Sequence, residues 1–184
     1  MSRGAAPTPS IPARVTVEQL ASALEREMSD VQAVLAARGE PSLPEDVIGA
    51  DVALSVAQEL GAALSVEPRD LALELLYQME LGGGAEDPAD LPWRVAFLVN
   101  GVMEHKEALD NEIEAASEHW SVARMPVIDR SIMRLGLFEL RHSRDTPTGV
   151  VISEAVRLAR TYSTDKSGAF VNGVLASLAR AGHG

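Results

Sequence analysis

Residues 120–140 read W-S-V-A-R-M-P-V-I-D-R-S-I-M-R-L-G-L-F-E-L, followed by Arg141 and His142. The spacing of apolar residues predicts a helix from about Pro126 to His142. Arg130, Arg134 and Arg141 stand at i, i+4 and i+11, so at 100° per residue they fall within about 40° of one another. The helix therefore carries one basic stripe. Two uses of that stripe stay open. The arginines are either cations offered to a polyanion or members of ion pairs inside a bundle, with Asp129 or Glu139 as partners.

Helices are predicted on both sides of this one. Downstream, Val151, Ala155, Leu158 and Tyr162 fall in register over about 150–162. A last helix covers about 167–180, with Ser167 as its N-cap and Phe170, Val171, Val174, Leu175 and Leu178 facing inward. Asn172 and Gly173 read as a close helix contact. Upstream, Val95, Leu98, Val99, Val102, Leu109, Ile113 and Ala116 make the stripe of one long helix from about Trp93 to Glu118. Before it, residues 69–81, R-D-L-A-L-E-L-L-Y-Q-M-E-L, are broadly apolar and predict a largely buried helix. Gly82-Gly83-Gly84 is its stop, and Asp87 to Pro92 reads as an acidic loop.

The N-terminal part has its own signals. Residues 1–14, rich in Pro, Ser and Ala, read as a disordered tail. Residues 15–65 predict a small three-helix module. Thr16 with Gln19 makes a capping box, and Ser29 with Gln32 repeats the pattern. Gly39 stops the second helix. Asp51 is placed to cap the third, which ends near Gly61. Residues 66–184 form the main domain, and the fold class is all-α.

Composition supports that class, since the apolar content is mostly Ala, Leu and Val and only seven residues are aromatic. There is no cysteine, which excludes disulfides and thiolate metal sites. No apolar run is long enough for a transmembrane helix, and no signal-peptide layout opens the chain, so a cytoplasmic address is expected. The net charge is −11, which opposes nucleic-acid binding by the chain as a whole. Its distribution is more informative. Residues 1–66 carry 4 basic and 9 acidic groups, residues 67–119 carry 3 and 13, and residues 120–184 carry 9 and 5. An RNA would be attracted mainly to the last third.

Three blocks make a resemblance specific: residues 120–140 above, D-T-P-T-G-V-V-I-S-E-A-V-R-L-A-R from Asp145 to Arg160, and Y-S-T-D-K-S-G-A-F-V-N-G-V-L from Tyr162 to Leu175. Their order and spacing, with A-L-E-L-L-Y-Q-M-E-L around Tyr77, resemble the NusB family of transcription antitermination proteins over residues 66–180. The resemblance implies a bundle of two antiparallel three-helix layers. It implies binding of a boxA-like single-stranded RNA together with the ribosomal protein NusE, and through that assembly an indirect link to the RNA polymerase complex. Monomers and homodimers are both expected of such proteins. Residues 15–63 more loosely resemble the N-terminal module of bacterial translation initiation factor two, which suggests a translation-linked adaptor as a further idea.

The resemblance assigns RNA contacts to Arg69, Tyr77, Arg130, Arg134, Lys166 and Phe170. Cations along the backbone and planar groups against splayed bases are what single-stranded RNA requires. Lys166 stands where the family more usually has an acid, which favours phosphate locally. Phe170 also reads as plain core packing. The resemblance assigns partner contacts to Asp129, Met125 and Arg124, although Asp129 equally suits the dipole at the start of its helix. One departure is large: the family's arginine-rich arm is replaced by S-V-E-P-R-D, leaving Arg69 alone between Glu67 and Asp70. Catalysis has little support. His105, His119, His142 and His183 show no metal-ligand spacing, Gly82–Gly84 lacks the Lys-Ser/Thr of a phosphate loop, and no cofactor is implied. Two functions follow: an antitermination factor that holds boxA-like RNA with NusE, or a scaffold that has lost RNA binding and acts through protein contacts alone.

Overall fold

The computed structural model describes residues 8–83, 91–117 and 120–182. His119, His183 and most of the expected Asp87–Pro92 loop lie outside them. The chain divides into two compact units, residues 1–71 and 72–184. The division falls inside a helix, a few residues beyond the expected boundary.

The first unit holds β1 (Ser10–Ile11), β2 (Arg14–Thr16), α1 (Val17–Ala23), α2 (Met28–Ala37), β3 (Val47–Gly49), α3 (Ala50–Glu59) and β4 (Ser65–Val66). The capping box is present: Gln19 N donates to Thr16 Oγ1 at 3.1 Å and Thr16 N to Gln19 Oε1 at 2.9 Å. Gly39 and Gly61 follow α2 and α3 at φ 72° and 64°, where a side chain would be strained. Val17, Leu20, Val31, Leu35, Ala53 and Val56 make the core.

Three local expectations change here. Residues 10–14 are not a tail. Ser10 and Ile11 pair in parallel register with Ser65 and Val66, and Arg14–Thr16 pair antiparallel with Val47–Gly49. Composition hid a period of two, since Ile11, Ala13 and Val15 all point inward and are buried. Ser29 caps nothing, because α2 already begins at Met28 behind Glu27. Gln32 instead reaches the Ser42 carbonyl at 2.7 Å. Asp51 sits in the first turn of α3, whose N-cap is Gly49.

The second unit takes up α4 (Pro68–Glu80) from Ala72 onward, then α5 (Trp93–Glu104), α6 (Lys106–Ala116), a 3-10 turn (Val122–Arg124), α7 (Val127–His142), α8 (Thr148–Tyr162) and α9 (Ser167–Ala181). The class is all-α, as expected. The long helix predicted over 93–118 is two helices. His105 leaves the helical region at φ −99°, ψ 10°. Its Nδ1 lies 2.9 Å from the Gly101 carbonyl, which its own backbone N–H also uses at 3.1 Å. A side chain inserted into the hydrogen-bond ladder bends a helix there.

Helix α7 is the centre of this unit. It packs against α5, α6, α8 and α9, and every residue from Ser131 to Glu139 is buried. Two glycines permit the close approach. A Cβ on Gly101 would sit 2.0 Å from Phe138 Cζ, and one on Gly136 would sit 2.8 Å from a Leu175 methyl. Gly173, by contrast, has nothing within 4 Å, and both it and Asn172 are exposed, so they do not form the close contact their sequence suggested.

A helix buried all round must neutralise its own charges. Arg134 donates to Asp110 through Nε and Nη2 at 2.6 and 2.9 Å, and to Glu80 at 3.0 Å. Arg130 donates to the other Glu80 oxygen at 2.5 Å, and Lys106 adds a contact to Glu80 at 2.6 Å. Burial pushes the Glu80 carboxyl up. Hydrogen bonds from Lys106 and Arg130, with the charges of Arg134 and Lys106, outweigh burial and hold it at about 2, below its ordinary 4.5. The partners expected from sequence, Asp129 and Glu139, are not the ones used. Glu139 pairs with Arg94 at 3.0 Å.

Two outcomes follow from this packing. Gly101→Ala drives a methyl into the Phe138 ring and costs about 1–3 kcal/mol in chemical unfolding. Glu80→Gln removes the counter-charge of Arg130 and Lys106 and one of the two that hold Arg134, and costs about 3–5 kcal/mol at neutral pH. The depressed Glu80 pKa stabilises the fold above pH 4.5, and that stability is lost as pH falls toward 2. An acid titration of Glu80→Gln should lack this component, which stability curves at pH 7, 4.5 and 3 would reveal.

Candidate nucleic-acid interface

The basic stripe read from the sequence is turned inward. The Arg134 side chain is only 6% exposed and is held by two carboxylates. Arg130 shares Glu80 with it. Arg141 is paired with Glu112 at 2.6 Å and also donates to the Leu178 carbonyl at 3.3 Å. Arg130 and Arg134, which the resemblance assigns to RNA, serve as structural cations here: most of their donors are spent on interior carboxylates, which leaves little to offer a phosphate.

Two partner assignments change for the same kind of reason. Met125 is 3% exposed and belongs to the core. Asp129 is 5% exposed, and its Oδ2 accepts from the Ser167 hydroxyl at 2.9 Å. Ser167 is accordingly not a free N-cap; that position is Lys166. The Ser167 hydroxyl also lies 3.0 Å from that of Ser163 and 2.9 Å from that of Thr164. This network ties the turn between α8 and α9 to the first turn of α7. Asp129 thus shapes the turn from within. Arg124, in the 3-10 turn, is exposed.

Lys166 is exposed at the head of α9 and makes no ion pair among the described residues. Phe170, one turn on, is half-buried, so it belongs partly to the core and partly to the surface. Its ring centroid is 6.3 Å from that of Trp120 at a tilt of 54°. Trp120 is 59% exposed. Arg160, in the last turn of α8, is also exposed. It runs beside Gly168, where a Cβ would lie 3.1 Å from its Cγ. Sequence reasoning assigned no role to Trp120 or Arg160. Both stand in the quoted blocks, but Trp120 is fifty residues from Phe170, and no local spacing signals that pair. Tyr77 lies on α4 and is 37% exposed. Arg69 falls within residues 1–71, half-buried in the first turn of α4 and already engaged in an interaction.

Among the described residues, no group of acidic or histidine side chains could hold a metal ion, and no helix is long and apolar enough to cross a membrane. His105 and His142 pack ring to ring at 4.5 Å beside Phe138. Burial, and next the nearby His105, lower the His142 pKa.

The family model described as NusB matches residues 66–180. The transcription antitermination protein NusB of Leifsonia xyli subsp. xyli is 40% identical over 123 residues, covering 66% of this chain and 85% of that protein. That of Trichlorobacter lovleyi is 41% identical over 124 residues, covering 61% and 87%. The solved structure of T. maritima NusB superposes with a TM-score of 0.56 at 30% identity, covering 61% of this chain and 88% of that one. A structure of the antitermination factors NusB and NusE in complex with dsRNA superposes with a TM-score of 0.53 at 30% identity, covering 62% and 94%. With its helical order, its buried α7 and more than half its length matched, the chain belongs to the NusB family.

Proposed function

We propose that this protein acts in transcription antitermination by holding a boxA-like single-stranded RNA together with a NusE-type ribosomal protein, in the cytoplasm and by binding rather than catalysis. The observation that carries the reading is the surface at the head of α9. Lys166 is exposed and without an ion pair among the described residues, next to the partly exposed Phe170, on the one third of the chain with a basic balance. A relative of the same fold has been solved with NusE and dsRNA. Lys166 supplies a phosphate contact and Phe170 a stacking face. Tyr77, which is exposed, remains a candidate for the same RNA. Arg69 adds little, being half-buried and engaged.

A second reading has its own support. The arginines that would have made a strongly cationic surface, Arg130, Arg134 and Arg141, are all committed to carboxylates. A protein with so few free cations neutralises few phosphates, so the electrostatic part of its affinity for RNA is small. On this reading the chain is a scaffold that binds the NusE-type partner and no RNA.

Labelled boxA RNA, titrated with and without the partner at two salt concentrations, separates the two. The first reading expects partner-dependent, salt-sensitive binding that weakens in Lys166→Glu, with a salt slope reduced by about one. Association with the partner but never with RNA would leave the scaffold. For the partner surface, Arg124→Glu should slow association with the NusE-type protein while leaving the thermal transition in place, since Arg124 is exposed and unpaired among the described residues. An unchanged on-rate would remove Arg124 from that surface.

A further inference from the structure

We propose that Trp120 is an RNA-contact residue, presenting its indole face with Phe170 as a stacking platform for an unpaired base; this rests on the RNA-binding reading above. Three observations lead there. The residue is 59% exposed, and the ring contact found for it is the tilted one with Phe170 at 6.3 Å. It is therefore not an anchor of the core. Its main chain, however, is held tightly. Trp120 N donates to the Ser117 carbonyl at 3.2 Å, and the buried Ser117 hydroxyl lies 3.0 Å from the Trp120 carbonyl. On the other side, Glu114 Oε1 accepts from the Ser121 hydroxyl at 3.0 Å and from Val122 N at 2.8 Å. A large planar group on an anchored backbone, facing solvent, loses little conformational freedom when something stacks on it.

The third observation is charge. Phe170 brings the platform to the helix that opens with Lys166. Arg160 lies along the same first turn, against Gly168. Neither cation has an ion pair among the described residues, although the chain as a whole is acidic. Aromatic faces beside unpaired cations fit a polyanion that carries planar bases, which selects single-stranded RNA over an apolar peptide as the occupant. The other exposed tryptophan is a different case: Trp93 already has the Arg94 guanidinium over its ring at 6.0 Å.

The platform makes a contribution that salt does not screen, whereas Lys166 acts through charge. The test uses the full chain with its NusE-type partner and a labelled boxA oligoribonucleotide at two salt concentrations. Trp120→Ala should weaken RNA binding by about tenfold or more, by the same factor at both salts, and Trp120→Phe should restore most of it. Since the chain has two tryptophans, Trp93→Phe leaves Trp120 as the only one. Its emission should be quenched on RNA addition, in contrast to the Trp93→Phe, Trp120→Phe double variant. If RNA binds the Trp120→Ala protein as tightly as the unaltered one and the emission does not move, the platform is overturned while the RNA reading stands. If Trp120→Ala weakens the partner and not the RNA, the surface is a protein contact and the proposal is likewise overturned. If the unaltered protein binds no RNA, the reading beneath it fails and the platform fails with it.

Discussion

The second unit depends on the burial of the middle of α7, from Ser131 to Glu139. That stretch packs on four other helices and has no solvent-facing side, yet with the turn before it the helix carries Asp129, Arg130, Arg134 and Glu139. Each must find an opposite charge or a hydrogen bond, because an isolated buried charge is costly. Glu80, Asp110 and Arg94 on α4, α6 and α5 meet that requirement for Arg130, Arg134 and Glu139. The ion pairs therefore join α4, α5 and α6 to α7. Breaking one side of such a network is severe even where the intact network adds little net stability.

That demand decides where the chain is able to bind anything. Arginines used to neutralise the interior are lost to the surface, so the basic third of the sequence shows far fewer available cations than its composition suggests. Part of what remains outside gathers at the head of α9. Lys166 heads α9, Arg160 lies against Gly168, and Trp120 and Phe170 meet in space although they are far apart along the chain. The Asp129–Ser167 hydrogen bond links the two levels. A buried carboxylate on the central helix holds the turn that presents Lys166, so the interior shapes the surface without touching a ligand.

The first unit follows a different rule. It is small, and its three short helices alone bury little, but the strands of residues 10–16 close over Ile48, Ala53 and Val56 with Ile11 and Val15. Its core is built partly from residues whose Pro and Ala content reads as disorder. Main-chain pairing with residues 47–49 and 65–66 supplies the order that composition does not show.

The all-α class, most helix positions, the Thr16–Gln19 cap, the stops at Gly39, Gly61 and Gly82, and the family were all legible in the sequence. Each depends on residues near one another in the chain: apolar periodicity, reciprocal caps, left-handed glycines, motif blocks in order. What the tertiary structure decided depends on residues far apart. The same 100° spacing that puts Arg130, Arg134 and Arg141 in one stripe says nothing about whether the stripe faces water or Glu80, Asp110 and Glu112. Asp129 and Met125 looked available because exposure is not written in local pattern. Trp120 and Phe170 became a pair only in the fold, where α9 meets the segment that follows α6. The sequence determined which elements form, through short-range geometry. Only packing determined which side chains were consumed inside and which were left to bind.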